Sequence, residues 1–301
     1  MTKNPHFKLS VVYPQAFPLS REEDLVSDLA RLSEFSAINS IELTTIIDSE
    51  IRREATEILH SSFAEVIFLA GLPSFKRQAF LNTSGAERER AVEYIKSLIE
   101  EANDLGASAF LVVSGPDVEI ADRQESSRNL LTSLIELSEF MKINFPHISL
   151  RLEHTDRDVH RKQLIGPISE SLVLIQGVAE AGYKLELNLD LSHILQLGEQ
   201  VSSTLELAKA HCSHFHFSNC ILKDKLSNLY GDAHLPFGYP GSEVAVNELT
   251  QTFRDLYSFG YLAPSRETTL GLEVVPLPNQ DPWATLGVAI DVLNNAKTKA
   301  F

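Results

Sequence analysis

Eight short apolar segments that alternate with helical patterns constrain the fold of this 301-residue chain more than any other feature. Two parallel strands cannot be joined by a tight turn, because the chain must first cross back over the sheet, usually as a helix. Alternation of strand and helix therefore predicts a parallel sheet. The predicted strands are 9–13, 40–44, 65–71, 109–114, 149–155, 185–193, 214–219 and 270–275.

A helical pattern follows each predicted strand. The clearest has an apolar stripe at helical spacing, formed by Ala91, Ile95, Leu98 and Ala102. No Gly/Ser-rich linker divides the series, so we expect one closed (β/α)8 barrel domain that spans residues 1–301. An open, doubly wound parallel sheet is the alternative. The predicted helices are 20–36, 49–61, 86–105, 126–141, 169–180, 202–210, 242–257 and 281–296.

The segment 185–193 has leucine at every second position and polar residues between them. This period of two predicts a strand with one apolar face and one polar face. If the leucines pack against covering helices, the polar face lines the barrel and ends near Asp190. Three other segments have the same pattern. Together the four strand ends place Glu153, Asp190, His216 and Glu273 on the inner face.

These four residues suit one divalent metal ion. Carboxylates with one imidazole favour manganese, magnesium, cobalt or zinc, and the absence of a thiolate argues against a structural zinc cage. Strands five to eight of a barrel end on one arc of its mouth, whereas an open sheet would spread the four residues too far apart for one ion. For any single acid, capping of a neighbouring helix or pairing with a lysine is the more common role.

Composition restricts the location and the partners. The formal net charge of −15 disfavours a nucleic-acid partner, because the average surface repels phosphates. No apolar stretch approaches the roughly 18 residues that a membrane span needs. The two cysteines, Cys212 and Cys220, and the lack of a secretory leader pattern predict a cytoplasmic protein. A homo-oligomer is compatible with the sequence.

The sequence resembles the xylose-isomerase-like barrel superfamily, which contains sugar isomerases and epimerases, inosose dehydratases and apurinic endonucleases. The resemblance covers nearly the whole chain. It rests on short motifs whose order and spacing are specific together: Leu-Arg-Leu-Glu153, Leu-Asp190-Leu-Ser-His193, His214-Phe-His216, Leu-Glu273, Leu81-Asn82 and Gly231-Asp232-Ala-His234.

This resemblance implies a metal-dependent enzyme that acts on a small sugar, keto sugar or polyol through an enediolate. Glu153 and Glu273 would be the catalytic acid and base and would also bind the metal. The resemblance further implies that substrate contacts come from His193, Asp232, His234 and Asn82.

Two departures bear on the reaction. Ketose 3-epimerases carry an arginine shortly after the strand-seven histidine, where this chain has Ser218-Asn219-Cys220. The endonuclease branch needs extra histidines after strands three and four, where this chain has Ala70-Gly71 and Ser114-Gly115. A metal-dependent isomerase or epimerase is therefore the main hypothesis, with an inosose-dehydratase-like lyase and a non-catalytic sugar-binding barrel as alternatives.

Two further features have open interpretations. A cationic run from His154 to Lys162 follows strand five, and it either clamps an anionic group over the mouth or is a solvated loop. Deeper in the barrel, we expect Glu42, Arg151 and Glu186 to form a buried paired network. His214 should pack one layer below His216.

Overall fold

The computed structural model describes residues 5–301 and contains a closed barrel of eight parallel strands in chain order. This confirms the predicted (β/α)8 architecture. The predicted domain span of 1–301 includes residues 1–4, which lie outside the described range. The strands are β1 Lys8–Val12, β2 Ser40–Leu43, β3 Glu65–Leu69, β4 Ala109–Val112, β5 Ser149–His154, β6 Glu186–Asp190, β7 Cys212–Phe217 and β8 Thr269–Leu272.

Helices connect all the strands and surround the barrel. Three short helices of four to seven residues, at Tyr13–Ala16, Gly71–Arg77 and Leu191–Gln196, begin at or within two residues of a strand end and were not predicted. A 3-10 turn lies at Glu22–Asp24. The helices are α1 Tyr13–Ala16, α2 Leu25–Ser33, α3 Ser49–Ser62, α4 Gly71–Arg77, α5 Gly85–Asp104, α6 Arg123–Asn144, α7 Ile168–Glu180, α8 Leu191–Gln196, α9 Val201–Ala208, α10 Val246–Ser258 and α11 Pro282–Ala300.

The prediction of one strand over 185–193 is wrong at its carboxyl end. The strand β6 ends at Asp190, and α8 begins at Leu191. Asp190 caps this helix, because its Oδ1 accepts a hydrogen bond from the backbone N–H of His193 at 2.9 Å. His193 therefore lies in the first turn of a helix rather than at a strand end.

The register of the parallel strands aligns the inner-face residues of β5 to β8. Glu153 pairs with Asn188, Asp190 with His216, and His216 with Gly271. Asp190, His216 and Gly271 therefore form one row across three strands, and Glu153 lies beside Asn188, two residues before Asp190. All of them lie near the carboxyl ends of their strands, which is the face on which barrels of this type carry their sites.

The apolar core lies mainly between the strands and the helices, where residues such as Leu187, Leu189 and Phe215 are fully buried. A second, smaller cluster on the first, third and fourth strands is separate from this core. The inner faces of the first, third and fourth strands are therefore apolar, whereas β5 to β8 supply ligand-type groups. No helix within residues 5–301 has the length and apolarity required to cross a membrane. The small cluster consists of Val12, Ile67, Leu69, Ala109 and Leu111.

Candidate metal centre at the barrel mouth

Three of the four predicted ligands are carboxylates that lie around a ring nitrogen of the fourth, His216. Nδ1 of His216 lies 2.9 Å from Oε2 of Glu273, 3.6 Å from Oε1 of Glu153 and 3.9 Å from Oδ2 of Asp190. Glu153, His216 and Glu273 each offer one ligand atom within 4.8 Å of the other two. The side chains come from four consecutive strand ends, so the barrel closure brings together residues 120 positions apart in the sequence.

Glu42 orients the His216 ring. Its Oε2 lies 3.0 Å from Nε2 of His216, and its Oε1 lies 3.0 Å from Nε2 of His214. Burial opposes ionisation of Glu42, but the two imidazoles outweigh it and hold the pKa of this carboxyl well below its usual range. A carboxylate can only accept, so Glu42 takes the Nε2 proton of His216 and turns Nδ1 towards the other three acids. Metal-binding histidines are commonly held by a carboxylate in this way.

Gly271 on β8 provides the space for this arrangement. A Cβ at this position would lie 2.5 Å from Oε1 of Glu42 and 2.7 Å from Cδ2 of His216. Any larger residue would push the histidine or the glutamate away. The inner face of β8 therefore has a glycine two residues before Glu273, so that the ring of His216 can lie over the strand.

An orphaned oxygen atom in this cluster supports a cation site. Oδ2 of Asp190 is buried and makes no hydrogen bond to any residue from 5 to 301, whereas Oε2 of Glu273 contacts Nδ1 of His216 at 2.9 Å. The other oxygen of Asp190 accepts from Ser192 Oγ at 2.8 Å and Ser218 Oγ at 2.7 Å, which fixes the carboxylate. Buried anionic oxygens need a positive partner. The donor set fits one divalent ion held by Glu153, Asp190, His216 and Glu273.

The directions in which the pKa values of His216 and Glu273 shift indicate that the cluster has more negative than positive charge. Burial opposes protonation of His216, yet Glu42 and Glu273 outweigh it and hold the pKa of His216 well above its usual value. Burial raises the pKa of Glu273, which has carboxylate neighbours as well as imidazoles. Protons on His216 and Glu273 thus neutralise negative charge that a divalent ion would neutralise if it were bound.

A second polar cluster lies beside the first, around Asp232. Oδ1 of Asp232 accepts from Ser192 Oγ at 2.6 Å, and its Oδ2 accepts from Nε of Arg161 at 2.6 Å. Nη2 of Arg161 also lies 3.1 Å from Nε2 of His234. Asp190, His193 and Asp232 each offer a ligand atom within 4.8 Å of the other two. A guanidinium already supplies positive charge to this second cluster.

The backbone of the loop after β5 is fixed by Asp156, although several of its side chains are exposed. The buried carboxylate of Asp156 accepts hydrogen bonds from the backbone N–H groups of Val159, His160 and Arg161 at 2.7 to 2.9 Å. Arg157 pairs with Glu170. The arginines at 157 and 161 therefore bind carboxylates of this chain, which leaves the predicted anion clamp without its main cations.

A cavity that is open to solvent lies next to the metal-type cluster. Its polar wall contains the two catalytic candidates, Glu153 and Glu273, with His193 and Arg161. Its other wall is mainly apolar and belongs to β1, β3, β4 and the residues that follow them, with Gln15 donating to Oε1 of Glu273 at 3.3 Å. That wall is formed by Val12, Pro14, Leu69, Gly71, Leu72, Phe75, Leu111 and Val113.

Asn82 does not line this cavity. Its Nδ2 donates to the carbonyl of Pro116 at 2.9 Å, and its Oδ1 lies where a Cβ of Gly115 would be. The predicted contact of Asn82 with substrate is therefore not supported by its position, because the amide holds the loop after β4. The buried network also differs from the prediction: Arg151 pairs with Glu65 and Glu186, whereas Glu42 pairs with the histidines.

Sequence reasoning did not identify the roles of Glu42 and Arg161 at the site. Glu42 has the inward parity of the proposed ligands, but parity alone did not indicate that it lies level with the histidines of β7. Arg161 was included only in a charged run. The motif Gly231-Asp232-Ala-His234 contains the partners of Arg161. However, no local sequence pattern indicates that Arg161 and Asp232, which are 71 residues apart, form a pair.

The fold and the site define a class: a (β/α)8 barrel with a carboxylate–histidine cluster at the carboxyl ends of its last four strands. A family model described as xylose isomerase-like TIM barrel matches residues 40–283. The chain belongs to this family.

Solved structures with the same fold are distant in sequence. An L-ribulose 3-epimerase has a TM-score of 0.74 at 17% identity, with 99% of this chain and 97% of that chain covered. The IOLI protein with a binding zinc atom has a TM-score of 0.71 at 14% identity, with coverage of 98% and 99%. The 3-keto-D-glucoside 4-epimerase YcjR from E. coli has a TM-score of 0.68 at 12% identity, with coverage of 97% and 99%. A search of curated proteins finds no match.

Proposed function

We propose that this protein is a divalent-metal-dependent isomerase or epimerase of a small sugar, keto sugar or polyol. The observation that carries the proposal is the convergence of Glu153 and Glu273 on Nδ1 of His216, at the wall of a cavity in the barrel mouth. Sugar epimerases among the structural neighbours support the same reaction class.

Both carboxylates are suited to proton transfer at carbon. One removes the proton from a substrate carbon next to a carbonyl, and the same or the other carboxyl returns a proton to the neighbouring atom or to the opposite face. A bound divalent ion would stabilise the negative charge of the enediolate oxygens as a Lewis acid. Two carboxyls on opposite faces allow epimerisation, whereas one is enough for exchange between aldose and ketose.

The remaining polar residues position the substrate in this proposal. His193 lines the cavity, and its Nε2 lies 3.8 Å from Oδ2 of Asp232. Burial opposes its protonation, but Asp232 and Asp190 raise the pKa of His193, so it donates to a substrate oxygen. Asp232 and His234 hold Arg161 at the cavity wall and act on substrate through it.

The test follows carbon-bound protons in heavy water. Protein saturated with Mn²⁺ is incubated in D2O with free ketoses, their phosphates and inososes, and products are identified by NMR. We expect deuterium at the reacting carbon together with an isomer or epimer. Glu153→Gln and Glu273→Gln at saturating Mn²⁺ should each lower kcat by about 10²–10⁴-fold, the usual contribution of a general acid or base.

The same assay separates the alternatives. Loss of water from the substrate would assign the protein to lyases, because an enediolate can expel a β-hydroxyl instead of taking up a proton. Binding of a sugar without deuterium uptake or any product would leave a non-catalytic sugar-binding barrel. As a control, Glu136→Gln on the exterior helix α6 should keep full activity.

A further inference from the structure

The cavity beside the metal-type cluster lies between walls of opposite character. Glu153 and Glu273 belong to the polar wall, whereas the opposite wall comes from the ends of β1, β3 and β4 and from the short helix α4. A ligand held between the two walls contacts carboxylates on one side and hydrocarbon on the other. The lining residues from the end of β3 to just after β4 have no polar side-chain atom: Leu69, Gly71, Leu72, Phe75, Leu111 and Val113.

The apolar wall is accessible at its outer part. Val12, Leu69 and Leu111 are buried and belong to a small cluster that is separate from the core between strands and helices. Beyond these strand ends, Leu72 and Phe75 lie on α4 and are 49% and 40% exposed. These two side chains therefore present hydrocarbon that a ligand can cover, and covering apolar surface is favourable.

This wall is formed before any ligand arrives. The ring of Phe75 packs edge-on against that of Phe80, with ring centroids 5.3 Å apart. The helix α4 is fixed to the end of β3 because Oγ of Ser74 donates to the carbonyl of Ala70 at 2.6 Å. An apolar group of a ligand would therefore gain contact area without first ordering the protein.

The polar side chains closest to the apolar wall are already engaged or buried. Nε2 of Gln15 donates to Oε1 of Glu273 at 3.3 Å. The hydroxyl oxygen of Thr155 and the amide oxygen of Gln163 are buried behind the cavity surface, so they offer a ligand nothing. A ligand hydroxyl that faces Leu72 and Phe75 would therefore lose water without gaining a side-chain partner.

We propose that the substrate carries a hydrocarbon group, in place of a hydroxymethyl group, at the end remote from its reacting carbonyl, and that Leu72 and Phe75 bind this group. The inference rests on the proposed function and specifies its substrate class as deoxy sugars. The carbonyl end has to lie at Glu153 and Glu273, because a carboxylate must reach the proton on the neighbouring carbon. The remote end is then the part that contacts the opposite wall.

The test compares matched sugars that differ only in one terminal group. Calorimetry on the Mn²⁺-loaded protein would use both enantiomers of fructose, tagatose and psicose, together with the 6-deoxy form of each. At least one 6-deoxyketose should bind at least about fivefold more tightly than its hydroxylated parent, since a methyl is buried and no hydroxyl is stranded. The 1-deoxy isomer, whose methyl lies beside the carbonyl, should show no such gain.

Two variants assign the preference to the wall. Leu72→Gln and Phe75→Gln should each lower the affinity ratio of the 6-deoxyketose to its parent to about twofold or less, because an amide replaces hydrocarbon. A variant that merely distorted the site would weaken both sugars and leave the ratio unchanged. Leu207→Gln is the matched control, because this leucine is 56% exposed on the exterior helix α9. Leu207→Gln should keep the wild-type ratio, and Leu72→Gln should keep the wild-type Tm.

Two results would overturn the inference. One is that no 6-deoxyketose binds more tightly than its parent, and the other is a wild-type affinity ratio in both Leu72→Gln and Phe75→Gln. Loss of the preference in either variant supports it. Binding is measured without reference to turnover, so a preference for deoxyketoses without deuterium uptake contradicts the proposed reaction alone. Deuterium uptake with equal affinity for both members of every pair contradicts the apolar subsite alone.

Discussion

Glu42 shows how one residue decides the chemistry of its neighbours. Its contact with Nε2 of His216 turns Nδ1 towards Glu153, Asp190 and Glu273, and the side-chain nitrogen of Asn188 lies 3.1 Å from the same Nδ1. The four ligand candidates were predictable from the sequence because the parity of a strand fixes which face a side chain takes. The partner of His216 was not predictable, because the stagger between strands two and seven depends on the tilt and shear of the closed barrel.

Glu42→Gln tests this positioning role. An amide in place of the carboxylate presents a donor as well as an acceptor, so it cannot take the Nε2 protons of both histidines. Affinity for Mn²⁺ should fall about 10- to 100-fold, as is typical when the partner of a metal-binding histidine is lost. Glu186→Gln, which alters a partly buried acid paired with Arg151, is the control and should leave Mn²⁺ affinity unchanged. Equal losses in both variants would argue for a general charge effect instead.

At the scale of single elements, the sequence of β6 misplaces the end of the strand, and the sequence of β8 does not show why it contains a glycine. The leucine alternation of β6 continues to Leu191, so the pattern alone extends the strand past its true end at Asp190. The helix α8 begins there because Asp190 caps it. The structure shows that this helix cap overrides the alternating pattern, which by itself predicts a longer strand. On β8, Gly271 looks like a weak point of the strand but is required by the close approach of His216.

Gly271→Ala tests whether position 271 of β8 must lack a side chain. The added methyl overlaps Glu42 and His216, so we expect a loss of about 1–3 kcal/mol in the free energy of unfolding, typical of overpacking. Mn²⁺ affinity should fall in the same variant. Gly287→Ala on α11 is the matched control, since a Cβ there meets no atom within 4 Å. Urea denaturation should find that control roughly 0.5–1 kcal/mol more stable.

At the scale of the whole molecule, the alternation of strands and helices was sufficient to predict the barrel. The sequence did not predict that one side of the barrel mouth is apolar and the other polar, because the apolar wall is assembled from residues of β1, β3 and β4 that are distant in the chain. It also did not predict the three short helices at strand ends. Helices of four to seven residues are too short to show a 3.6-residue period.

The two cysteines report on the integrity of the whole barrel. Cys212 and Cys220 are free thiols with exposed fractions of 1% and 0%. Burial raises the pKa of the Cys212 thiol to about 11 and also raises that of Cys220. At pH 8 both thiols therefore stay protonated and covered, so a thiol reagent such as DTNB should label neither cysteine in the native protein. In guanidinium chloride it should label both, and rapid labelling without denaturant would indicate an open or misassembled barrel.

The location of a bound divalent ion tests the central claim most directly. Crystals soaked in MnCl2 and measured above the manganese absorption edge give the position of each ion from its anomalous signal. We predict a peak of full occupancy within about 2.0–2.3 Å of oxygen atoms of Glu153, Asp190 and Glu273 and of Nδ1 of His216, as first-row divalent metals require. The same peak should be absent in Asp190→Asn crystals, since this change removes the orphaned charge and keeps the volume. A wild-type crystal with no peak among these residues, or with manganese bound elsewhere only, would contradict the account.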